Sequence, residues 1–295
     1  MPYPNFIIVG ANKSGTTSLY HYLSQHPDIF MSADKEPHYF APAKWCGHPP
    51  MGLVDYQNLF IDSEHHSAIG EASTGYLYYP ESAALIHQKI PDCRIIIMLR
   101  NPVERAFSGY SHERREGMET VSFEQALVEE KHSLRQVNGD DYSFNYVKQC
   151  IVSPLIKQYL KLFTKDQVLI CLYDDLVSEP NTLMRSVFNF LKVNENFKGE
   201  WNYHYNASGL PKYQLLHDLI DGSNYLSRRL TKLFFSGRPE SKLNYVWHQL
   251  RDWNINKGGK ITILPKTKTY LHKQFAEEII NLESILNRDL SHWKN

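Results

Sequence analysis

A short run of glycine, lysine and hydroxyl residues is the first part of the sequence whose residue types could do chemistry. It reads Gly-Ala-Asn-Lys-Ser-Gly-Thr-Thr at positions 10–17 and directly follows an apolar segment, 6–9. The pattern predicts a strand, a tight loop and a helix, where backbone N–H groups and the positive end of the helix dipole converge. Side-chain donors are available in or beside the run from Lys13, Thr16, Thr17 and Ser18. An anion is the expected occupant; a glycine-rich turn that only caps a helix is the alternative.

The position of the lysine disfavours one class of nucleotide enzyme. In nucleoside triphosphatases the lysine directly follows the second glycine, where it reaches the β- and γ-phosphates, and the next Ser or Thr holds magnesium. Here Thr16 has that position, and Lys13 lies two residues before Gly15. The sequence therefore lacks the lysine position that binds a γ-phosphate in nucleoside triphosphatases.

A second anion site is predicted further along the chain. Arg100 directly follows the apolar run 95–99, and Ser108 lies near the start of a predicted helix that contains Val-Glu-Arg-Ala-Phe at 103–107. The carboxyl end of a central strand is where α/β folds bind ligands, and a guanidinium with a hydroxyl suits a phosphate. The two sites together predict a nucleotide with two separated anionic groups and no metal. For Arg100 alone, an ion pair at a sheet edge is the alternative.

Apolar patterning indicates which elements must position these residues. Four compact apolar runs, at 6–9, 68–70, 95–99 and 168–172, are typical of strands buried on both faces of a parallel sheet. Apolar residues at helical spacing occur between and after them; they are Leu19 and Leu23, then Leu155, Tyr159 and Leu162, then Leu183, Val187 and Leu191, then Leu271, Phe275, Ile279, Leu282 and Leu286. We therefore expect an α/β fold, a P-loop-type parallel sheet flanked by helices, forming a single domain over residues 1–295.

Two stretches do not follow this alternation. They are about 41–67 and about 199–265, which are rich in aromatic residues and contain Pro or Gly. Long irregular regions inside a compact domain are usually functional, so we expect these to be acceptor-binding walls. The mixed-charge run 112–116 is expected to form a solvated helix face.

Charge and composition exclude several partners. The 295 residues contain 32 Lys+Arg and 32 Asp+Glu, a net charge of zero, which argues against nucleic acid or an anionic membrane surface. No apolar stretch approaches the roughly 20 residues of a membrane span. The 14 histidines show no metal-ligand spacing, so no metal is expected. The four cysteines lie far apart, which favours buried thiols in a reducing, cytoplasmic setting.

The motifs resemble those of sulfotransferases that use 3'-phosphoadenosine 5'-phosphosulfate, in particular the heparan sulfate and related carbohydrate sulfotransferases. The resemblance rests on 6–26, on Arg-Asn-Pro-Val-Glu-Arg-Ala-Phe-Ser at 100–108, and on Lys-Glu-Pro-His-Tyr-Phe at 35–40. Weaker similarities lie at 70–76, 172–176 and 290–293. The first two segments are specific for the donor nucleotide, and none is specific for the acceptor.

The resemblance implies roles for particular residues. Donor binding would fall to Lys13, Ser14, Gly15, Thr16, Thr17, Ser18, Arg100 and Ser108. Lys13 would contact the bridging oxygen and the 5'-phosphate. A late loop at 256–260 is the nearest candidate for closing over the donor through Lys257 and Lys260, with a solvated turn as the alternative.

The base and the acceptor contacts are implied in the same way. Glu36 matches the family position of the catalytic base, with His38 as the competing base on the same face of an extended segment. Lys35, Thr74 and Tyr76 are implied as acceptor-binding residues, although Tyr76 also suits a core.

The resemblance implies a metal-independent, in-line transfer of a sulfuryl group to a hydroxyl, less readily an amine, of a carbohydrate or small-molecule acceptor. The product of the donor would be adenosine 3',5'-bisphosphate. A P-loop nucleotide kinase and a catalytically silent nucleotide-binding protein are the alternatives. The charge balance argues weakly against a long polyanionic acceptor, and the sequence leaves the oligomeric state open.

Overall fold

A central parallel sheet organises the molecule. The structure, a computed structural model, describes residues 3–41, 51–133, 144–201, 210–211, 255–256 and 262–294. Its five strands are β1 (Phe6–Gly10), β2 (Ile29–Met31), β3 (Ala68–Ala72), β4 (Arg94–Leu99) and β5 (Val168–Leu172). Their order is β2-β3-β1-β4-β5, and every neighbouring pair is parallel. The predicted α/β class is confirmed, with the short strand β2 in addition. A separate antiparallel pair joins β6 (Leu210–Pro211) to β7 (Ile255–Asn256).

Nine α-helices are described outside the strands. They are α1 (Thr16–Leu23), α2 (Leu53–Asn58), α3 (Pro80–Lys89), α4 (Pro102–Arg115), α5 (Phe123–Lys131), α6 (Ser153–Leu162), α7 (Tyr173–Ser178), α8 (Pro180–Leu191) and α9 (Pro265–Leu286). Short 3-10 helices lie at Thr74–Tyr78, Lys148–Cys150, Lys165–Gln167 and Ser291–Lys294. Within the described ranges, none of these helices has the length and apolar character needed to cross a membrane.

The sheet is covered on both faces because its apolar strands alternate their side chains. Ile7 and Val9 of β1 belong to one core, with residues of α3, α4, α6 and α9. Phe6 and Ile8 belong to the other core, with residues of α1 and α8. All five residues of β1 are buried, as expected for a strand between two neighbours in a two-sided parallel sheet.

A glutamate from the last long helix caps another helix. Glu278 of α9 is 3% exposed, and its Oε1 accepts the backbone N–H groups of Val152 and Ser153 at 2.9 and 2.8 Å. Its Oε2 accepts the Ser153 hydroxyl at 2.7 Å. Burial raises the pKa of this carboxyl. The contacts satisfy N–H groups at the start of α6 that the helix itself leaves without partners.

Three expectations about local structure need correction. The buried stripe of α6 passes through Ile156 and Tyr159, whereas Leu162 is 38% exposed. Tyr159 belongs to both stripes that the spacing allows, and packing against α3 and α9 in the core selects the stripe with Ile156. Within the stretch 41–67 that we expected to be irregular, α2 buries Tyr56 completely. The run 112–116 is not a solvated face, because Arg115 is only 8% exposed.

The cysteines follow the prediction where they are described. Cys93, Cys150 and Cys171 are free and buried, and burial raises the pKa of each thiol. The thiolate form is therefore disfavoured at all three. Cys46 lies outside the described residues.

Candidate functional site

The loop between β1 and α1 leaves a helix N-terminus open. Gly15 is the N-cap of α1 and has a left-handed φ of 88°. No side chain caps the helix, and its first turn contains no acidic residue. The N–H of Leu19 donates to the Gly15 carbonyl at 3.1 Å, so the N–H groups of 15–18 precede the hydrogen bonds of the helix. This end of α1 is suited to an anion, as predicted from the sequence.

Tyr173 packs across the same loop. A Cβ added to Gly15 would lie 2.7 Å from Cδ2 of Tyr173, so glycine is required by contact as well as by conformation. The guanidinium carbon of Arg100 lies 4.5 Å from the centre of the Tyr173 ring. Nη1 of Arg100 is 3.5 Å from the Lys13 carbonyl. The structure therefore brings the two predicted anion-binding residues, Lys13 and Arg100, to one edge of the sheet.

Arg100 also makes the ion pair that was its alternative role. Its Nη2 lies 3.0 Å from Oε2 of Glu104, one turn into α4. The Arg100 side chain is 22% exposed and that of Glu104 is 54% exposed, so solvent weakens this pair. Ser108 is partly exposed on α4 and lies four residues after Glu104, on the same helix face. Arg100 and Ser108 thus lie on the same side of the N-terminal part of α4.

Lys13 is a cation held in an unfavourable environment. Burial, and to a lesser extent the charge of Arg115, lower its pKa from 10.5 to about 8. Glu113 and Glu116 act in the opposite direction. The last turn of α4 therefore faces Lys13. Arg115 there donates from Nε to Oε1 of Glu116 at 3.0 Å, so its charge is paired within this turn.

Glu36 lies at the carboxyl end of β3, next to the phosphate loop. Its backbone N–H donates to the Ala72 carbonyl at 2.8 Å. Its Oε2 accepts the N–H of Thr74 at 2.7 Å, and its Oε1 lies 2.6 Å from Nζ of Lys35. The Thr74 hydroxyl lies 3.1 Å from Oε1. The carboxylate is thus fixed in orientation while its side chain stays 28% exposed.

His38 faces the same carboxylate. Its Nε2 lies 3.4 Å from Oε2 of Glu36. Burial lowers the pKa of His38, and the Glu36 charge partly offsets this. The predicted contact between Glu36 and His38 is present, but an extended backbone does not produce it. The segment is not extended there, because φ is 65° at Glu36 and 52° at His38.

Left-handed backbone is concentrated at these loops. Among the described residues, six other than glycine have a positive φ: Lys13, Glu36, His38, Ser133, Lys192 and Asn287. Lys192 and Asn287 are helix C-caps, and Ser133 lies just after α5, where this conformation is common. The other three are the residues predicted to do chemistry. Strained backbone at such positions is typical of functional sites.

Two residues implied as acceptor contacts, Tyr76 and Thr74, make hydrogen bonds within the chain. Tyr76 is completely buried, and its hydroxyl accepts the N–H of Phe40 at 3.2 Å. The expectation that Tyr76 contacts an acceptor is therefore corrected, because the 3-10 helix turns its ring into the core. Thr74 is 9% exposed and binds Glu36. Lys35 is partly exposed beside Glu36, at a position still open to an acceptor.

A buried arginine supports the phosphate loop and was not recognised from the sequence. Arg105 of α4 is 3% exposed, and its Nε donates to the Asn12 carbonyl at 3.0 Å. Its Nη2 donates to Oδ1 of Asn12 at 3.1 Å, to the Gln149 carbonyl at 2.8 Å and to the Tyr78 hydroxyl. These acceptors are neutral, so the guanidinium adds positive charge behind the loop. The only available signal was a second arginine within 100–108.

Ser14, Thr16 and Ser18 are buried, and Thr17 is partly exposed. Lys257 and Lys260, the late-loop candidates, lie outside the described residues. Within the described ranges, His, Cys, Asp and Glu side chains form no group of three that could hold a metal ion.

Comparison with known proteins points to one family. The family model described as Sulfotransferase domain matches residues 3–206. The heparan sulfate glucosamine 3-O-sulfotransferase 3A1 of Mus musculus is 26% identical over 208 residues, covering 70% of this chain and 50% of that protein. Carbohydrate sulfotransferase 15 of Mus musculus is 28% identical over 251 residues, covering 64% of this chain and 44% of that protein. The chain spans about half the length of the curated relatives it matches.

A solved structure is similar over its full length. The sulfotransferase from Alicyclobacillus acidocaldarius is 28% identical and superposes with a TM-score of 0.76, covering 100% of both chains. The family match covers more than half of this chain, and it includes the phosphate loop, Glu36 and Arg100. The chain belongs to the sulfotransferase family.

Proposed function

We propose that this protein transfers a sulfuryl group from 3'-phosphoadenosine 5'-phosphosulfate to a hydroxyl group of a carbohydrate or small-molecule acceptor. One observation carries the proposal: the open N-terminus of α1 with Lys13 follows β1, and the Glu36 carboxylate lies at the carboxyl end of the adjacent strand β3, at the same sheet edge. Lys35, beside Glu36, lies close enough to Lys13 to lower its pKa. An anion site next to a fixed carboxylate suits group transfer from an anionic donor.

The residues present fit such a donor. The N–H groups of 15–18 and Lys13 would hold the 5'-phosphosulfate end, and Arg100 with Ser108 would hold the 3'-phosphate. When bound, the donor supplies an activated sulfuryl group. Lys13 would neutralise the charge that develops on the departing phosphate, which stabilises the transition state more than the ground state.

Glu36 would act as the general base for the acceptor hydroxyl. Lys35 and Thr74 hold its carboxylate in place. His38, whose pKa is lowered by burial, is neutral near pH 7 and would assist Glu36 or share the proton.

The names of the relatives mention heparan sulfate glucosamine and carbohydrate, which supports a sugar hydroxyl as the acceptor group. The three buried free thiols support a reducing, cytoplasmic setting.

The role of Glu36 is tested by Glu36→Gln. We expect kcat to fall on the order of 10²-fold or more, which a positioned general base supplies, while affinity for adenosine 3',5'-bisphosphate stays within about twofold. The measurement is transfer of labelled sulfate to a panel of hydroxylated acceptors, with calorimetry for the nucleotide. Glu64→Gln, at an exposed position, is the matched control.

Near-wild-type turnover in Glu36→Gln would remove Glu36 from the role of base. A loss in His38→Ala equal to that in Glu36→Gln would show that the two residues act as one unit.

A further inference from the structure

A buried carboxylate lies directly behind the proposed base and has no part in the mechanism above. Glu71 of β3 is 0% exposed. Its Oε1 accepts the Tyr56 hydroxyl at 3.1 Å, and its Oε2 accepts the Ser73 hydroxyl at 2.8 Å. A buried ionisable group costs free energy unless its hydrogen bonds are satisfied, so its retention in a core needs a reason.

Hydrogen bonds connect Glu71 to the loop that carries the proposed base, Glu36. The Ser73 hydroxyl that donates to Glu71 also accepts the backbone N–H of His38 at 3.1 Å. The next residue, Thr74, binds the Glu36 carboxylate through its N–H and hydroxyl. The two residues after β3 therefore hold the two members of the Glu36–His38 pair, one by its backbone and one by its side chain.

This support is needed because the base loop is strained. Glu36 and His38 both have left-handed backbone, which non-glycine residues keep only when surrounding contacts impose it. We infer that Glu71 is a positioning residue for the base: its buried carboxylate orients the Ser73 hydroxyl, which fixes the His38 backbone and thereby the Glu36–His38 contact. The inference rests on the proposed function for the identity of the base.

The environment of Glu71 makes this support dependent on pH. Burial raises the pKa of Glu71 to about 7, and the charge of Glu36 contributes in the same direction. The titratable or charged groups that face Glu71 are Tyr56 from α2, Tyr76 after β3, Tyr159 from α6, Cys93 before β4, and Glu36 from the base loop. As the pH falls through about 7, Glu71 gains a proton on one carboxyl oxygen, and the hydroxyl that donates to that oxygen must become an acceptor. The hydrogen-bond chain from Glu71 through Ser73 to His38 is therefore rearranged at lower pH.

The test that does not depend on turnover is a histidine titration by NMR. The ¹³Cε1 resonance of His38, assigned by its loss in His38→Ala, is followed over pH in the wild type, Glu71→Gln and Ser73→Ala. We expect two inflections in the wild type, one from His38 below pH 6.5 and one near pH 7 from Glu71. The inflection near pH 7 should vanish in both variants. Its persistence in Glu71→Gln would overturn the inference.

The second arm is kinetic. Glu71→Gln and Ser73→Ala should lower kcat on the order of 10- to 10²-fold, the effect of a misplaced catalytic group, with the donor KM changed less than about twofold. Glu278→Gln, which alters another buried glutamate, should leave kcat unchanged. Unchanged kcat in both test variants, or a parallel loss of donor affinity, would contradict a positioning role.

The two arms separate failure of the inference from failure of the proposed function. Should the wild type transfer no sulfate, the NMR titration still decides whether Glu71 is coupled to His38. Should Glu71→Gln not fold, Ser73→Ala carries the same two expectations, because it removes the link and keeps the buried carboxylate.

Discussion

Lys13 combines three properties that oppose stability: a charge, partial burial and a left-handed backbone. Its lowered pKa reflects the cost of burying the ammonium. An anion bound beside Lys13 would offset this cost. Glu36 and His38 also have left-handed backbone. Backbone strain of this kind costs free energy and is concentrated at functional sites.

The burial of Lys13 has a consequence for stability. Its pKa of about 8 in the folded protein lies below its ordinary 10.5, so the unfolded chain binds more protons between these values and stability rises with pH there. At pH 7 the wild type carries the full penalty. We expect Lys13→Met to raise Tm at pH 7 by about 2–4 °C, the effect of about 1 kcal/mol in a domain of this class.

Calorimetric unfolding of the wild type and Lys13→Met at pH 7 and pH 10 checks this. The advantage of the variant should shrink at pH 10, where Lys13 is neutral. A variant that is less stable than the wild type at both pH values would show that Lys13 does not destabilise the folded protein.

Some of the candidate site residues could be predicted from the sequence. The types and spacing of Lys13 and Arg100 with Ser108 are sufficient to predict two anion sites. The Glu36–His38 pair is predicted as the base only through the resemblance to a family. Arg105 was not, because its partners Asn12 and Gln149 are far away along the chain and no local pattern joins them. Tyr76 was misassigned because a motif position does not reveal which way a side chain faces.

At the scale of elements, helices and strands with strong apolar periodicity could be predicted from the sequence, and short ones could not. Four of the five sheet strands contain the continuous apolar runs that predict them, whereas β2 has three residues, too few for a period to show. The six-residue helix α2 was missed for the same reason. For α6, two stripes through Tyr159 fit the spacing, and only tertiary packing decides between them.

The junction of β1, α1 and α7 gives a prediction at this scale. Gly15→Ala should destabilise the protein by about 1–3 kcal/mol, because of the positive φ and the contact of the new Cβ with Tyr173. It should also weaken binding of adenosine 3',5'-bisphosphate by tenfold or more, an estimate on the order of 1.4 kcal/mol. Thermal unfolding and calorimetric titration measure both quantities.

Gly109→Ala is the matched control. The new Cβ at this position of α4 would meet Cδ1 of Tyr146 at 3.6 Å, an ordinary contact. We expect stability to be unchanged or raised by up to about 1 kcal/mol, since alanine is the better helix former. Equal behaviour of the two variants would contradict the special role of Gly15.

At the scale of the molecule, a net charge of zero conceals an uneven distribution. Lys13, Arg100, Arg105 and Arg115 lie at or behind the carboxyl ends of β1 and β4. Two of them are buried and so retain their field in salt better than exposed charges do. The parallel sheet makes this possible, because strands far apart in sequence end at the same edge.

We propose that this edge of the sheet binds a nucleotide with separated 3'- and 5'-anionic groups and does not require a γ-phosphate. Thermal shift with adenosine 3',5'-bisphosphate in EDTA, compared with ATP and magnesium, tests it most directly. At 100 times its Kd, the bisphosphate should stabilise the protein by about 2.7 kcal/mol, raising Tm by about 5–10 °C, and Arg100→Ala should abolish most of the shift. Stabilisation by ATP with magnesium, and none by the bisphosphate, would contradict the account.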